Sequence, residues 1–206
     1  MAKQSSLEEK IILAAEEIFM NKGFDATSTT DIAKKVGCNQ ALIHYYFRTK
    51  ENLFQQIFMK KFQLVLSFII QENQPTDIEK ALLRFIDNYF AMLSQNRKLP
   101  FFLITELIMN EERRNMLRLH LLMQSEKLGY YANWDKLVKE EIKNGKIRPI
   151  ETIDLTLDVI SLVVFTFLSL PLYSDLFQSN EVQLENYLQH RKEEIVTLIL
   201  KGIKNT

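Results

Sequence analysis

Apolar positions recur along most of this chain with the period of an α-helix. Leu7, Ile11, Ala15, Ile18 and Phe19 form one inward stripe, which predicts a first helix over about Leu7–Lys22. Ser6 with Glu9 is a capping box at its start, and Gly23 ends it. A second, shorter helix opens at Ser28, with Asp31 three residues on, and carries Ile32, Ala33 and Val36 inward. Gly37 stops it, because glycine enters the left-handed conformation without a Cβ penalty. Asn39 caps a third helix whose inward residues are Ile43 and Phe47, four apart. Thr49 then caps a longer helix from Lys50 to about Glu72, with Phe54, Phe58, Phe62 and Val65 along one edge.

Pro75 marks the next boundary, and Thr76 with Glu79 forms a capping box for a helix reaching about Gln95. Pro100 opens a short, very apolar helix, followed by Glu111–Leu128 and, after Gly129, a further piece to about Asn144, where Asn144-Gly145 is a stop signal. The last two helices are expected over about Thr152–Leu170 and Glu181–Lys201. The first of these is apolar nearly all round, and such a helix needs two neighbours to cover it. The expected pair is its own core and a second subunit; the alternative is that both last helices are internal to a monomer.

Composition agrees with a compact helical protein. Hydrophobic residues make up 47% and charged residues 25% of the 206, with five Gly and four Pro, and neither a linker tract nor a repeat interrupts them. Cys38 is the only cysteine, so an intramolecular disulfide is excluded and a reducing, cytoplasmic setting is expected. The opening MAKQSSLEEK lacks the apolar segment of a signal peptide. The most apolar run, Val159–Tyr173, is shorter than the ~20 residues a bilayer requires and contains Pro171, so no membrane partner is expected.

Net charge is zero, and over residues 1–60 eight basic residues face seven acidic ones. The positive field is therefore local, with Lys34, Lys35, Arg48 and Lys50 around the second and third helices. The outward face of the third helix is the chemically distinctive surface: Gln40, Ala41, His44, Tyr45 and Arg48. A glutamine amide can pair bidentately with an adenine edge, a small alanine admits close approach, and the rings and guanidinium reach phosphate or base. The residues alone leave two readings open, a DNA-reading helix and the solvated face of an ordinary helical hairpin.

The longer string GFDATSTTDIAKKVGCNQALIHYYFRTKENLF, residues 23–54, resembles the DNA-binding domain of the TetR family of bacterial transcriptional regulators. Gly23-Phe24, Thr27, Asp31-Ile32-Ala33, Gly37, Tyr45-Tyr46-Phe47, Lys50, Leu53 and Phe54 carry the likeness. Leu42, His44 and Arg48 depart from it, the last standing where Gly or Pro is frequent. The resemblance implies an all-α protein: a three-helix helix-turn-helix domain over residues 1–52, then a larger helical effector-binding and dimerisation domain over 53–206. It implies a homodimer, probing double-stranded DNA at a palindromic operator and acting as a repressor modulated by a small apolar or amphipathic effector. The DNA-binding set is Thr27, Ser28, Thr29, Lys35, Asn39 and Gln40, continued by Ala41, His44, Tyr45, Tyr46, Arg48 and Lys50. Lys50, in the first turn of its helix, is expected to hold a phosphate.

For the second domain, periodicity supplies candidates. Phe62, Phe85, Tyr89, Met109 and His120, with Met123, Tyr130, Tyr131, Trp134 and Phe165, are the expected lining of an effector pocket of rings, soft sulfur and a few polar handles. The expected dimer interface is Leu157, Ile160, Val164 and Leu168 on one helix and Leu184, Leu188, Ile195 and Leu198 on the last. Three His and one Cys make no cluster at ligand spacing, so no metal and no cofactor is expected, and His120 reads as an ordinary hydrogen-bonded histidine. The chain carries no glycine-rich phosphate loop, G-x-S-x-G elbow or paired catalytic motif, and an enzyme is not expected. The rivals are a helical enzyme or carrier that happens to contain a hairpin, and an architectural DNA binder without sequence choice.

Overall fold

A computed structural model describes residues 6–69, 77–123 and 125–205, the side chains of 68, 69 and 121–130 excepted. Among the described residues the chain is eleven helices and no strand. They are α1 Leu7–Lys22, α2 Thr29–Val36, α3 Gln40–Phe47, α4 Lys50–Ile69, α5 Ile78–Gln95 and α6 Leu99–Met109. After these come α7 Glu111–Met123, α8 Ser125–Lys143, α9 Thr152–Leu168, α10 Leu170–Phe177 and α11 Glu181–Ile203.

The N-terminal helices begin and end where their caps are. Ser6 and Glu9 satisfy each other's amides at α1, and Ser28 and Asp31 do so at α2. The Ser28 hydroxyl, and then its amide, hold the Asp31 carboxyl below its ordinary range. Gly37 ends α2 at φ 74°, ψ 35°, the left-handed conformation. Ile11, Ala15, Ile18 and Phe19 of α1 close over Ile32 and Ala33 of α2 and Ile43 and Phe47 of α3 to form a buried core.

An aromatic cluster joins this unit to the rest. Phe54 of α4 meets Phe19 edge-on at 4.9 Å and Phe24 at 5.0 Å, and on its other side lies 5.5 Å from Phe102 of α6. Glu16 of α1 pairs with Lys61 of α4 at 2.5 Å, and Lys98, before α6, donates to Asn21 of α1. The larger body packs α5, α9 and α11 together, with Phe90 against Phe167 at 5.3 Å.

Several boundaries differ from the sequence expectation or fall outside the described residues. The Thr76–Glu79 box and the end of α4 near Glu72 fall on positions outside the described residues, and the observed cap of α5 is Asp77, accepting from Lys80 N–H at 2.9 Å. Gly129 lies within α8, since one glycine costs a helix only about 1 kcal/mol. The helix expected to run to Leu170 stops at Leu168, and α10 follows at a 45° bend. Pro171 causes the break: it has no N–H to donate, and its ring crowds the preceding turn. No single helix among the described residues is long and apolar enough to cross a membrane, and α9 with α10 reaches that composition only as this bent pair.

Candidate nucleic-acid interface

The α2–α3 hairpin presents one continuous exposed surface. Gln40, Ala41, His44, Tyr45, Tyr46 and Arg48 are all exposed, Tyr45 to 79%, while Ile43 and Phe47 between them are buried. Burial of those two residues fixes the rotation of α3, so the polar face cannot turn inward. Tyr45 and Tyr46 meet edge-on at 5.3 Å.

Gln40 is held before any ligand arrives. Its Nε2 donates to Thr29 Oγ1 at 2.7 Å, and its Oε1 accepts from Thr30 Oγ1 at 3.3 Å. An amide has two N–H groups and two lone pairs, so one donor and one acceptor remain for a base edge. Thr30 belongs to this surface although its spacing gave no sign of it; residues ten apart on different helices share no periodicity.

The junction to α4 is strained. Arg48 sits at φ 65°, ψ −51°, with Thr49 N–H donating to Phe47 O at 2.7 Å, the γ-turn of rarer hand. Arg48 N–H donates to His44 O at 2.9 Å, and His44 Nδ1 lies 3.1 Å from Arg48 O, so both ends of the residue are pinned. Beside it an open hollow of about 490 Å³ is lined by Tyr46, Phe47, Arg48, Asn52, Gln55, Gln56 and Met59.

Several expected contact residues have other work. Thr27 is buried at 2% exposure and donates from Oγ1 to Gly23 O at 2.7 Å, so it closes the link before α2 instead of facing outward. Lys50 is drawn inward too: Nζ donates to Phe24 O and Thr27 O, both at 2.9 Å, and stands 4.1 Å from the Phe24 ring centre. The carbonyls of the bent link need a donor, and the first turn of α4 supplies the nearest one. Ser28 and Asn39 are exposed but act as caps, Asn39 Oδ1 accepting from Ala41 N–H at 2.9 Å. Lys35 pairs with Glu17 of α1. Cys38 is half-buried against the core.

The expected effector lining divides. Tyr89 is buried, its phenol pushed up to about 12 by that burial, and Phe85 stacks on it at 5.9 Å. Phe62 is half-buried, Trp134 Nε1 donates to Thr156 Oγ1 at 3.0 Å, and His120 Nε2 lies 3.4 Å from Gln63 Nε2. Met109, Phe165 and Tyr131 are exposed to 81%, 69% and 44%, so they leave the set; Met109 ends α6 beyond its buried stripe, and Phe165 lies on the outer face of α9. The side chains of Met123 and Tyr130 lie outside the described residues. A second open hollow, about 490 Å³ beside Arg148 and Asp158, contains none of these candidates. Among the described residues no three metal-ligating side chains converge.

The expected dimer face divides as well. Leu184, Leu188 and Ile195 are buried within the chain itself, because α11 turns that stripe toward α5 and α9. Leu157 at 53% and Leu198 at 57% are exposed, while Ile160, Val164 and Leu168 are half-buried.

Residues 11–57 match the family described as "Bacterial regulatory proteins, tetR family". The chain is similar to the HTH-type transcriptional regulator QacR of Staphylococcus aureus, 26% identical over 115 residues, which are 46% of this chain and 61% of that one. The chain thus aligns with less than two thirds of that relative. Among solved structures, the TetR family transcriptional regulator PfmR of Thermus thermophilus superposes with a TM-score of 0.69 at 18% identity, covering 98% of this chain and all of that one. The transcriptional regulator FadR of Bacillus subtilis, in complex with stearoyl-CoA, superposes at 0.59 and 21% identity, covering 95% and 99%.

Proposed function

The chain belongs to the tetR family of bacterial regulatory proteins, and from that premise we propose that it is a sequence-specific transcriptional regulator, a repressor that binds a palindromic operator as a homodimer. The observation that carries this reading is the exposed face of α3, where Gln40, Ala41, His44, Tyr45 and Arg48 stand outward on a helix locked by the buried Ile43 and Phe47. The preset Gln40 amide favours it further, since side chains ordered in advance lose less entropy on binding.

A single hairpin neutralises few phosphates, and a two-fold pair reading two half-sites supplies the missing affinity. The outer face of α9, with Ile153, Leu157 and Phe165 exposed, is the apolar surface that would pair, joined by Leu198 of α11. The body around Phe62, Phe85, Tyr89 and Trp134 is the proposed seat of an apolar or amphipathic effector that shifts operator affinity by binding two states unequally. FadR of Bacillus subtilis holds stearoyl-CoA, so a long-chain acyl-CoA is the first effector to try.

The test is selection of bound sequences from a random duplex pool, repeated with Gln40→Ala and Arg48→Ala. A palindrome is expected. Gln40→Ala relaxes one position in each half-site by ~1–3 kcal/mol, and Arg48→Ala weakens all sequences alike. Recovery of no motif refutes the proposal in favour of an architectural binder, and of no DNA at all in favour of a helical carrier or enzyme.

A further inference from the structure

One residue from the second half of the chain grips the hairpin on both of its flanks. Arg113, in the first turn of α7, has a side chain only 4% exposed, and its backbone N–H is taken by Asn110 Oδ1 at 3.0 Å. Its Nη2 lies 3.2 and 3.3 Å from the two carboxylate oxygens of Glu51, in the first turn of α4, just after the hairpin. Its guanidinium carbon stands 4.9 Å from the ring centre of Phe24, in the link just before the hairpin, and 4.3 Å from that of Phe54. Its Nη1 donates to Glu106 of α6. Arg114 Nη1 donates to Leu107 O and Ile108 O, both at 2.8 Å, so the end of α6 and the start of α7 carry the guanidinium as one piece.

This arrangement is a poor way to gain stability. Taking charges out of water offsets much of their attraction, and an apolar side chain of similar volume usually packs as well. The cost shows on both partners: burial raises Glu106 despite the adjacent guanidinium, and Arg113 Nε is buried with no hydrogen-bond partner among the described residues. What a planar fork of donors supplies is direction, since it holds two carboxylates and two rings at set angles to each other.

We infer that Arg113 is a positioning residue for DNA recognition: it sets the angle between α3 and the helical body, and through it the half-site separation that the dimer accepts. This rests on the dimeric-regulator reading above. A guanidinium held by α6 and α7 on one side and by both flanks of the hairpin on the other makes that angle a property of the body.

The experiment measures affinity for the selected palindrome and for versions with the half-sites moved apart or together by one or two base pairs. Wild type is compared with Arg113→Met, which keeps the stem, Arg113→Lys, which keeps the charge without the fork, and Glu51→Gln, whose partly exposed site tolerates the change. Wild type is expected to lose about tenfold or more at the first shift, while Arg113→Met stays within about threefold across the series. Affinity for non-specific duplex stays unchanged, and the other two variants flatten the profile in the same direction. If Arg113→Met does not fold, those two variants carry the test. A uniform loss at every spacing, or a profile as sharp as wild type's, overturns the inference and leaves the regulator reading intact. A wild type that selects no palindrome overturns both.

Discussion

Replacing Arg48 by glycine should make the protein more stable and a weaker DNA binder at once. The residue occupies φ 65°, ψ −51°, where a Cβ is unwelcome, and hydrogen bonds to His44 O and from Thr49 N–H to Phe47 O keep it there. Holding a non-glycine residue in such a region costs about 1–3 kcal/mol. Glycine removes that strain but loses roughly 0.5–1 kcal/mol more backbone entropy on folding. The side chain is exposed, so its own loss changes little, and a net gain of about 1 kcal/mol remains. For a chain of this length that raises the melting temperature by about 2–4 °C. Loss of the guanidinium meanwhile removes about one phosphate contact per protomer, lowering the slope of log affinity against log salt by about 0.9 for each. Arg48→Ala is the control: it loses the charge but keeps the Cβ. Thermal melting at fixed protein concentration and operator titration across salt then separate the two effects. If Arg48→Gly melts no higher than Arg48→Ala, the strain argument is wrong.

Lys50→Met should lower stability by about 2–3 kcal/mol, read by denaturant unfolding, because two carbonyls of the link lose a charged donor and Phe24 its cation. A phosphate-only role for Lys50 predicts no such change. The exposed residues Leu157 and Phe165, both changed to Asp, should leave the helical content intact and yield a monomer in sedimentation. Operator affinity should fall by about two orders of magnitude or more, and a stable dimer would refute the proposed pairing face. Tyr89 should ionise above the ordinary tyrosine range in a phenolate absorbance titration. Its native value of about 12 lies above the ordinary 10.0, so its contribution to stability is complete below pH 10 and fades as pH rises through 12. Tyr89→Phe should remove that alkaline loss; an unchanged profile would assign it to another group.

How far a residue could be read in advance depended on the distance over which its role is decided. The reciprocal caps at Ser6–Glu9 and Ser28–Asp31, the left-handed Gly37 and the outward Gln40–Tyr45 face are set within one or two helical turns, so residue order alone determined them. Periodicity likewise determined which residues share a helix face. It does not say what covers that face. The stripe of Leu184, Leu188 and Ile195 suits a partner subunit as well as α5 and α9, and the tertiary packing chose the latter. Thr27, through the resemblance, and Lys50, through its place in a first helical turn, were expected at the DNA surface and instead turn inward, because carbonyls of a bent link need donors. Arg113 lies 62 positions from Glu51, and only the fold brings the guanidinium between both flanks of the hairpin. Local hydrogen bonding writes itself into neighbouring residues; contacts made across the molecule exist only once the chain has closed on itself.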